Sequence, residues 1–167
     1  MVVVDSSALI PLARSGYLDL ISAVFDAIRT TEAVQDEVLT KGKRGTASLQ
    51  SFLDDAQVYE TPRDAEEVAA LEGVADADAS VILIAADKEA VLLANDKALI
   101  EVARSHGVEC WWVTTLLLNC TREGILSTAD ATDVLYDLVD TGMNLHPKVY
   151  TQVQQKLQEL GKDGQSD

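Results

Sequence analysis

The chain has 167 residues, of which 47% are hydrophobic, and it carries a formal net charge of −15. This is enough apolar material for a domain with a buried core, and the lack of a membrane-length apolar run or of a basic-then-apolar opening leads us to expect a soluble, cytoplasmic protein. The acidity fits a high-salt cytosol or an ordinary acidic protein equally well; it argues against an overall basic surface for nucleic acid, but a divalent cation or a local basic patch could still receive phosphates.

Strand and helix patterns alternate along the chain. The opening run, Val2–Val4, is β-branched and predicts a short buried strand that ends at Asp5 and passes into a serine-capped helix. Further strands are predicted at residues 57–60, 90–93 and 108–113. Helices are predicted at residues 7–14, 18–27, 32–39 (capped by Thr30 and Thr31), from the loop at 41–45 to about 54, at 63–71 and 77–86, from Asp96 to about 105, and at 114–122, 127–140 and 147–160.

This alternation predicts an α/β fold, a three-layer α/β/α sandwich around a central, mostly parallel sheet. No linker or internal repeat suggests a second domain, so we expect a single domain over residues 1–160. The polar segment at residues 161–167 is predicted to be a flexible C-terminal tail. No glycine-rich phosphate loop occurs in the sequence, and we therefore expect no nucleotide cofactor.

Four acidic residues stand out by their positions. Asp5 ends the first strand, Asp96 follows the strand at 90–93, and Asp78 opens the most apolar helix. Glu37 lies next to the apolar face of the helix at 32–39, whereas Asp36 points elsewhere. Each acid at a helix start is, taken singly, well explained by helix capping or by the helix dipole.

Taken together, the acids predict a metal site. Open α/β sheets bind their ligands at the carboxyl ends of their strands. Several carboxylates converging there repel one another unless a cation joins them. Mg²⁺ and Mn²⁺ prefer oxygen ligands, and two such ions can activate a water and stabilise the leaving oxygen in phosphodiester cleavage.

Five segments, in order, resemble the motifs of PIN-domain ribonucleases, in particular the VapC-like toxins and their archaeal relatives. The resemblance covers nearly the whole chain and implies a PIN-like version of the predicted sandwich. The segments are residues 2–14 with Asp5-Ser6-Ser7, residues 31–38 with Glu37-Val38, residues 77–85 with Ala77-Asp78, residues 92–99 with Asn95-Asp96, and residues 113–118 with Val113-Thr114, followed by Gly124-Ile125.

The resemblance also implies roles for individual residues. The catalytic acids that bind Mg²⁺ or Mn²⁺ would be Asp5, Glu37, Asp78 and Asp96. Ser7 and Asn95 would support them by hydrogen bonding, and Thr114 would line the same pocket. The chain departs from the family pattern in having Ala77-Asp78 for Gly-Glu, Asn95-Asp96 for paired acids and Val113-Thr114 for Gly-Thr. Asp76 is a rival to Asp78, although the spacing to Ile84-Ala85 favours Asp78.

The function implied is that of a metal-dependent endoribonuclease that hydrolyses RNA phosphodiester bonds, as the toxin of a toxin–antitoxin pair. Such a protein would have an antitoxin partner and would form a homodimer. The alternative is a catalytically weak PIN-fold module that binds RNA or another protein. A phosphatase of the haloacid-dehalogenase type fits less well, because it needs an Asp-x-Asp at the first strand and Asp5-Ser6-Ser7 lacks it. A Toprim domain also fits less well, because it needs an Asp-x-Asp after a strand and Asp76-Ala77-Asp78 precedes a helix.

The densest basic patch is the loop with Lys41, Lys43 and Arg44. Together with Lys97, which follows Asp96, it could contact an RNA backbone. A solvated turn explains the loop equally well, so the pattern leaves both interpretations open.

Overall fold

The computed structural model describes residues 1–41 and 45–165, and the side chain of Lys41 and those beyond Lys162 are outside that description. Five short strands form one sheet in the order β3-β2-β1-β4-β5, and every neighbouring pair is parallel. The strands are β1 (Val2–Val4), β2 (Ile28–Thr31), β3 (Gln57–Tyr59), β4 (Val91–Leu93) and β5 (Cys110–Trp111).

Helices cover the sheet on both faces, so the predicted three-layer α/β/α sandwich is confirmed. They are α1 (Ser6–Ser15), α2 (Asp19–Val24), α3 (Glu32–Lys41), α4 (Thr46–Asp54), α5 (Ala65–Glu72), α6 (Asp76–Lys88), α7 (Lys97–Ser105), α8 (Val113–Arg122), α9 (Thr128–Asp140) and α10 (Pro147–Gln165). Over the described part of the chain, no helix combines the length and the apolarity that crossing a membrane would require.

β1 lies at the centre of the sheet, between β2 and β4, and forms the middle of the core. Its three valines are fully buried, as are Leu92 and Leu93 on β4. Strands buried on both faces read as continuous apolar runs, which is why these two were recognisable in the sequence. The chain moves from β1 outwards through β2 to β3 and then returns to the other side of β1 for β4 and β5. This reversal creates a crevice at the carboxyl ends of β1 and β4, where such sheets bind their ligands.

Two elements differ from the sequence-based expectation. Residues 28–31 form β2, whereas the sequence predicted only a helix cap at Thr30 and Thr31. Both descriptions apply at Thr31, because its hydroxyl accepts a 3.4 Å hydrogen bond from the backbone N–H of Val34 while the residue pairs with β3. At the other end of the chain α10 continues through Gln165, so helix covers most of the segment for which a flexible tail was predicted.

Candidate active site

A cavity of about 410 Å³ opens at the carboxyl ends of β1 and β4. All four acids singled out from the sequence line it, although they come from four separate segments of the chain. Its walls are formed by Asp5, Ser6, Ser7, Ile10, Pro11, Arg14, Glu37, Ala75, Asp78, Asn95, Asp96, Thr141, Gly142, Met143 and Asn144.

Asp5 is the most deeply buried of these acids, with 1% of its surface exposed. It is the N-cap of α1: Oδ2 accepts hydrogen bonds from the backbone N–H of Ser7 at 3.1 Å and from the Ser7 hydroxyl at 2.6 Å. Oδ1 is also buried and has no hydrogen-bond partner among the described residues. A buried carboxylate oxygen without a partner is costly, and a cation would offset that cost.

The raised pKa of Asp5 is also consistent with a cation in the cavity. The pKa of its carboxyl is raised to about 6: burial is the largest cause, the two hydrogen bonds from Ser7 lower it, and the nearby charges of Asp78 and Glu37 add to the increase. Loss of water is therefore the largest cause, and repulsion within the cavity adds to it. Such a group is stabilised in its charged form by a positive charge in the cavity.

Ser7 and Asn95 connect the ends of the two central strands. The Ser7 hydroxyl donates to Asp5 and accepts a 2.8 Å hydrogen bond from the backbone N–H of Asn95, which follows β4. The Asn95 side chain donates to the carbonyl of Asn144 at 3.1 Å, and its Oδ1 is buried without a partner within the described residues. A continuous set of hydrogen bonds thus runs from Asp5 to the loop after α9.

Asp96 and Asp78 both combine a helix-capping role with a place in the cavity wall. Asp96 is the N-cap of α7 and accepts from the backbone N–H of Leu99 at 3.1 Å. Asp78, the third residue of α6, accepts a long 3.4 Å hydrogen bond from the backbone N–H of Ala75. Partial burial raises the pKa of Asp78, with smaller contributions from Asp96 and Glu37. The capping interpretation is therefore correct for these acids, and it coexists with their convergence because a carboxylate has two oxygens.

Glu37 reaches the cavity from α3, and a buried hydroxyl pair joins the end of β2, directly before α3, to α6. Thr31, the last residue of β2 and directly before α3, lies 2.7 Å from Ser80 on α6, hydroxyl to hydroxyl. The Ser80 hydroxyl also lies 2.6 Å from the carbonyl of Ala77, to which it donates. Since Ser80 has only one hydroxyl proton, Thr31 is the donor in the pair. This contact fixes the helix that carries Glu37 against the helix that carries Asp78.

Three other residues considered in the sequence, Asp76, Thr114 and Lys97, do not line this cavity. Asp76 is exposed and is not part of the cavity wall, so of the two rivals Asp78 faces the other acids. Thr114 is buried at the start of α8 and is also not part of that wall. Lys97 is exposed on α7 and lies 4.0 Å from Glu101. The predicted basic patch of Lys41, Lys43 and Arg44 falls outside the described side chains.

The sequence analysis did not predict two parts of the cavity wall. Arg14 lines the cavity from the last turn of α1. The helical spacing of Ser7, Ile10, Pro11 and Arg14 places them on one face, so counting forward from Ser7 would have found it. The loop from Thr141 to Asn144 gave no local signal, because only the packing of α9 beside α1 brings it to the site.

The donor set fits a hard divalent cation that keeps part of its water shell. In the described part of the chain, no three acidic, histidine or cysteine side chains form a compact group that would enclose a metal ion directly. Mg²⁺ is commonly held by only one or two carboxylates with several waters, so it does not need such a group. The unpartnered Oδ1 of Asp5 and the oxygen-only chemistry of the wall suit that mode of binding.

Comparisons with known proteins agree with this architecture. The family model DUF3368, described as a PIN domain, matches residues 1–159. Among solved structures, the crystal structure of PAE2754 from Pyrobaculum aerophilum is similar to this chain, with a TM-score of 0.55 and 25% sequence identity over 71% of this chain and 94% of that chain. No curated protein matches the sequence at a significant level.

Proposed function

The chain belongs to the PIN-domain family, whose fold is of the nuclease type, and from this we propose that it is a metal-dependent endoribonuclease that hydrolyses phosphodiester bonds in RNA. The observation that carries the proposal is the buried Asp5 carboxylate. It has a raised pKa and an unpartnered oxygen, and it shares one cavity with Glu37, Asp78 and Asp96.

In this proposal Asp5, Glu37, Asp78 and Asp96 hold Mg²⁺ or Mn²⁺. When bound, the ion supplies water activation and neutralises charge on the scissile phosphate. Ser7 keeps the Asp5 carboxylate in one orientation through its two hydrogen bonds. Asn95 is fixed by Ser7 and Asn144, so its side-chain oxygen is available as a further neutral acceptor in the wall.

Charge explains why a cation is essential to the proposal. Four carboxylates in one cavity, in a chain with a formal net charge of −15, repel a phosphate. A bound divalent ion reduces this repulsion and gives the phosphate oxygens a positive partner, so RNA affinity and metal affinity should depend on each other. We therefore expect RNA to bind to the cavity only together with the ion.

The first experiment is a cleavage assay on a pool of single-stranded RNAs with Mn²⁺, Mg²⁺ or chelator. The wild-type protein should cleave with either metal ion and not with chelator, and Asp5→Asn should lose cleavage. Asp36→Asn is the matched control, because Asp36 is an exposed acid on the helix that carries Glu37 and does not line the cavity. Cleavage by Asp5→Asn at the wild-type rate, or equal cleavage in chelator, would contradict the proposal.

The biological role we propose is that of a cytoplasmic toxin with an antitoxin partner and a homodimeric assembly. Its support is the resemblance of the sequence to VapC-like toxins. Induced expression should arrest growth, and co-expression of a small protein encoded beside the gene should restore it. Light scattering on the purified protein measures the assembly. Normal growth on induction of a protein that is active on RNA in vitro would argue against the toxin role alone.

A catalytically weak module that binds RNA or protein is the second candidate. Two observations favour it: the described acids form no compact metal-binding group, and Asn95 stands where the family often has an acid. This candidate predicts Mn²⁺ binding by calorimetry and RNA binding without cleavage of any RNA in the pool. The cleavage assay therefore separates the two.

A further inference from the structure

Arg14 is the one basic residue in the described wall of the acidic cavity. It lies in the last turn of α1, whose N-cap is Asp5, and it is exposed. It lines the same cavity as Asp5, Glu37, Asp78 and Asp96. A cation thus borders four carboxylates, and in the described part of the chain it has no ion pair.

The geometry of α1 separates Arg14 from the proposed metal site. Arg14 is nine positions after the N-cap Asp5, which at a rise of about 1.5 Å per residue separates the two backbones by roughly 13 Å along the helix axis. This span exceeds one nucleotide step along an RNA strand. A strand whose scissile phosphate lies at Asp5 would therefore bring a different phosphate to Arg14.

We propose that Arg14 binds a phosphate that flanks the scissile one and so aligns the RNA strand across the cavity. The inference rests on the proposed function and adds a residue that positions the substrate. A guanidinium suits this role because it remains charged and can make two parallel hydrogen bonds to phosphate oxygens. Within the described wall, Arg14 attracts phosphate whereas the four carboxylates repel it, so the position of Arg14 favours one path of the strand across the cavity.

The competing explanation is structural, because a basic residue in the last turn of a helix interacts favourably with the helix dipole. The chain itself provides the control. Arg122 also lies in the last turn of its helix, α8, is exposed, and does not line the cavity. Arg122→Gln therefore removes one positive charge and a comparable dipole interaction, without touching the proposed RNA path.

The experiment measures binding of a fluorescein-labelled single-stranded RNA by anisotropy, with Ca²⁺ in place of Mn²⁺ to slow cleavage, over a series of salt concentrations. Loss of one contact to a single-stranded phosphate should flatten the plot of log K against log salt by about 0.7. We expect Arg14→Gln to show this change together with an about tenfold weaker Kd, the order of one charge-assisted hydrogen bond. Arg14→Lys should keep the wild-type slope, and Arg122→Gln should keep both slope and Kd.

Steady-state cleavage with Mn²⁺ gives a second readout. Arg14→Gln should raise KM about tenfold and leave kcat within about twofold, because the contact is made equally in the ground and transition states. A purely structural role would lower the melting temperature of Arg14→Gln and Arg122→Gln alike and leave the salt slope unchanged, and that result would overturn the inference.

The outcomes also separate this inference from the proposed function. If the wild-type protein binds and cleaves RNA while Arg14→Gln matches it in slope, Kd and KM, the role of Arg14 is wrong and the nuclease stands. If Arg122→Gln weakens binding as much as Arg14→Gln, general electrostatics explains the effect and the inference also fails. If the wild-type protein neither binds nor cleaves RNA, both proposals are wrong.

Discussion

The Ser7 hydroxyl donates a 2.6 Å hydrogen bond to Oδ2 of Asp5. The same hydroxyl oxygen accepts a 2.8 Å hydrogen bond from the backbone N–H of Asn95. One small side chain therefore orients the most buried carboxylate of the cavity and ties it to the end of β4. We expect Ser7→Ala to lower kcat about 10-fold to 100-fold, which corresponds to a hydrogen bond to a charged group.

The measurement is the Mn²⁺-dependent cleavage rate of Ser7→Ala, with Ser22→Ala as control, since Ser22 is exposed on α2 outside the site. Titration of the Asp5 carboxyl by NMR adds an independent readout. Its pKa should rise further in Ser7→Ala, because both Ser7 hydrogen bonds lower it and the hydroxyl bond is the larger contribution. Wild-type cleavage and an unchanged pKa in Ser7→Ala would disprove this role for Ser7.

The stability of the metal-free protein should depend on the ionisation of Asp5. Its pKa is about 6 in the folded protein against an ordinary value of 3.8, so between these two pH values the folded state binds more protons than the unfolded state. The free energy of unfolding therefore falls as pH rises from about 4 to about 6, and levels off above that range. Each pKa unit is worth about 1.4 kcal/mol, so the whole contribution is about 3 kcal/mol.

Asp5→Asn isolates this contribution, because the other acids titrate in both proteins. Urea unfolding in chelator should show that the stability of Asp5→Asn relative to wild type increases by about 3 kcal/mol between pH 4 and pH 7. Added Mg²⁺ should stabilise the wild type above pH 6 and leave Asp5→Asn unchanged. A difference between the two proteins that does not vary with pH would show that Asp5 does not titrate in this range.

Asp78 and Asp76 form a matched pair two residues apart. Asp78 lines the cavity and has a pKa raised by burial, whereas Asp76 is exposed in the first turn of the same helix. We expect Asp78→Asn to weaken Mn²⁺ binding at least tenfold and to reduce cleavage accordingly, and Asp76→Asn to change each less than twofold. Calorimetric titration of both variants with Mn²⁺ measures which of the two aspartates contributes to metal binding. A larger loss in Asp76→Asn would reverse the assignment.

The buried hydroxyl pair of Thr31 and Ser80 should show energetic coupling. Both side chains are fully buried and 2.7 Å apart, so removing one leaves the other without its partner. A double-mutant cycle with Thr31→Val and Ser80→Ala should give a coupling free energy of about 1 kcal/mol in urea unfolding. Additive single effects would show that the contact contributes no coupling between the two positions.

Gly45 lies close to the end of α1, and Gly16 provides a control for the cost of placing a side chain there. Gly45 has φ +79°, and a Cβ there would lie 3.0 Å from the carbonyl oxygen of Ala13; Gly16 has φ +84° but no atom within 4 Å of its Cβ position. Both alanine variants should lose about 1 kcal/mol from the left-handed backbone, and Gly45→Ala about 1 kcal/mol more from the contact. Equal losses in thermal unfolding would mean that Ala13 moves away without cost.

Local signals in the sequence were sufficient to predict where β1 and β4 end and where the helices that follow them begin. β1 and β4 were recognisable because strands buried on both faces are continuous apolar runs, and Asp5 and Asp96 follow them directly. β2 was missed, since Ile28–Thr31 contains an arginine and two threonines and has no such run. Its strand conformation depends on pairing with β1 and β3, which no local pattern records.

The sequence by itself determined the α/β class, the family motifs and the acids at helix starts, because periodicity and capping act over a few residues. Only the tertiary structure decided that β1 lies beside β4, which brings Asp5 to Asn95 from 90 residues away, and that Asp78 rather than Asp76 faces them. It also decided that Arg14 shares their cavity. The order of the strands and the rotation of the helices are set by burial and by hydrogen bonds between distant segments. These long-range interactions cannot be inferred from the pattern of any short stretch of sequence.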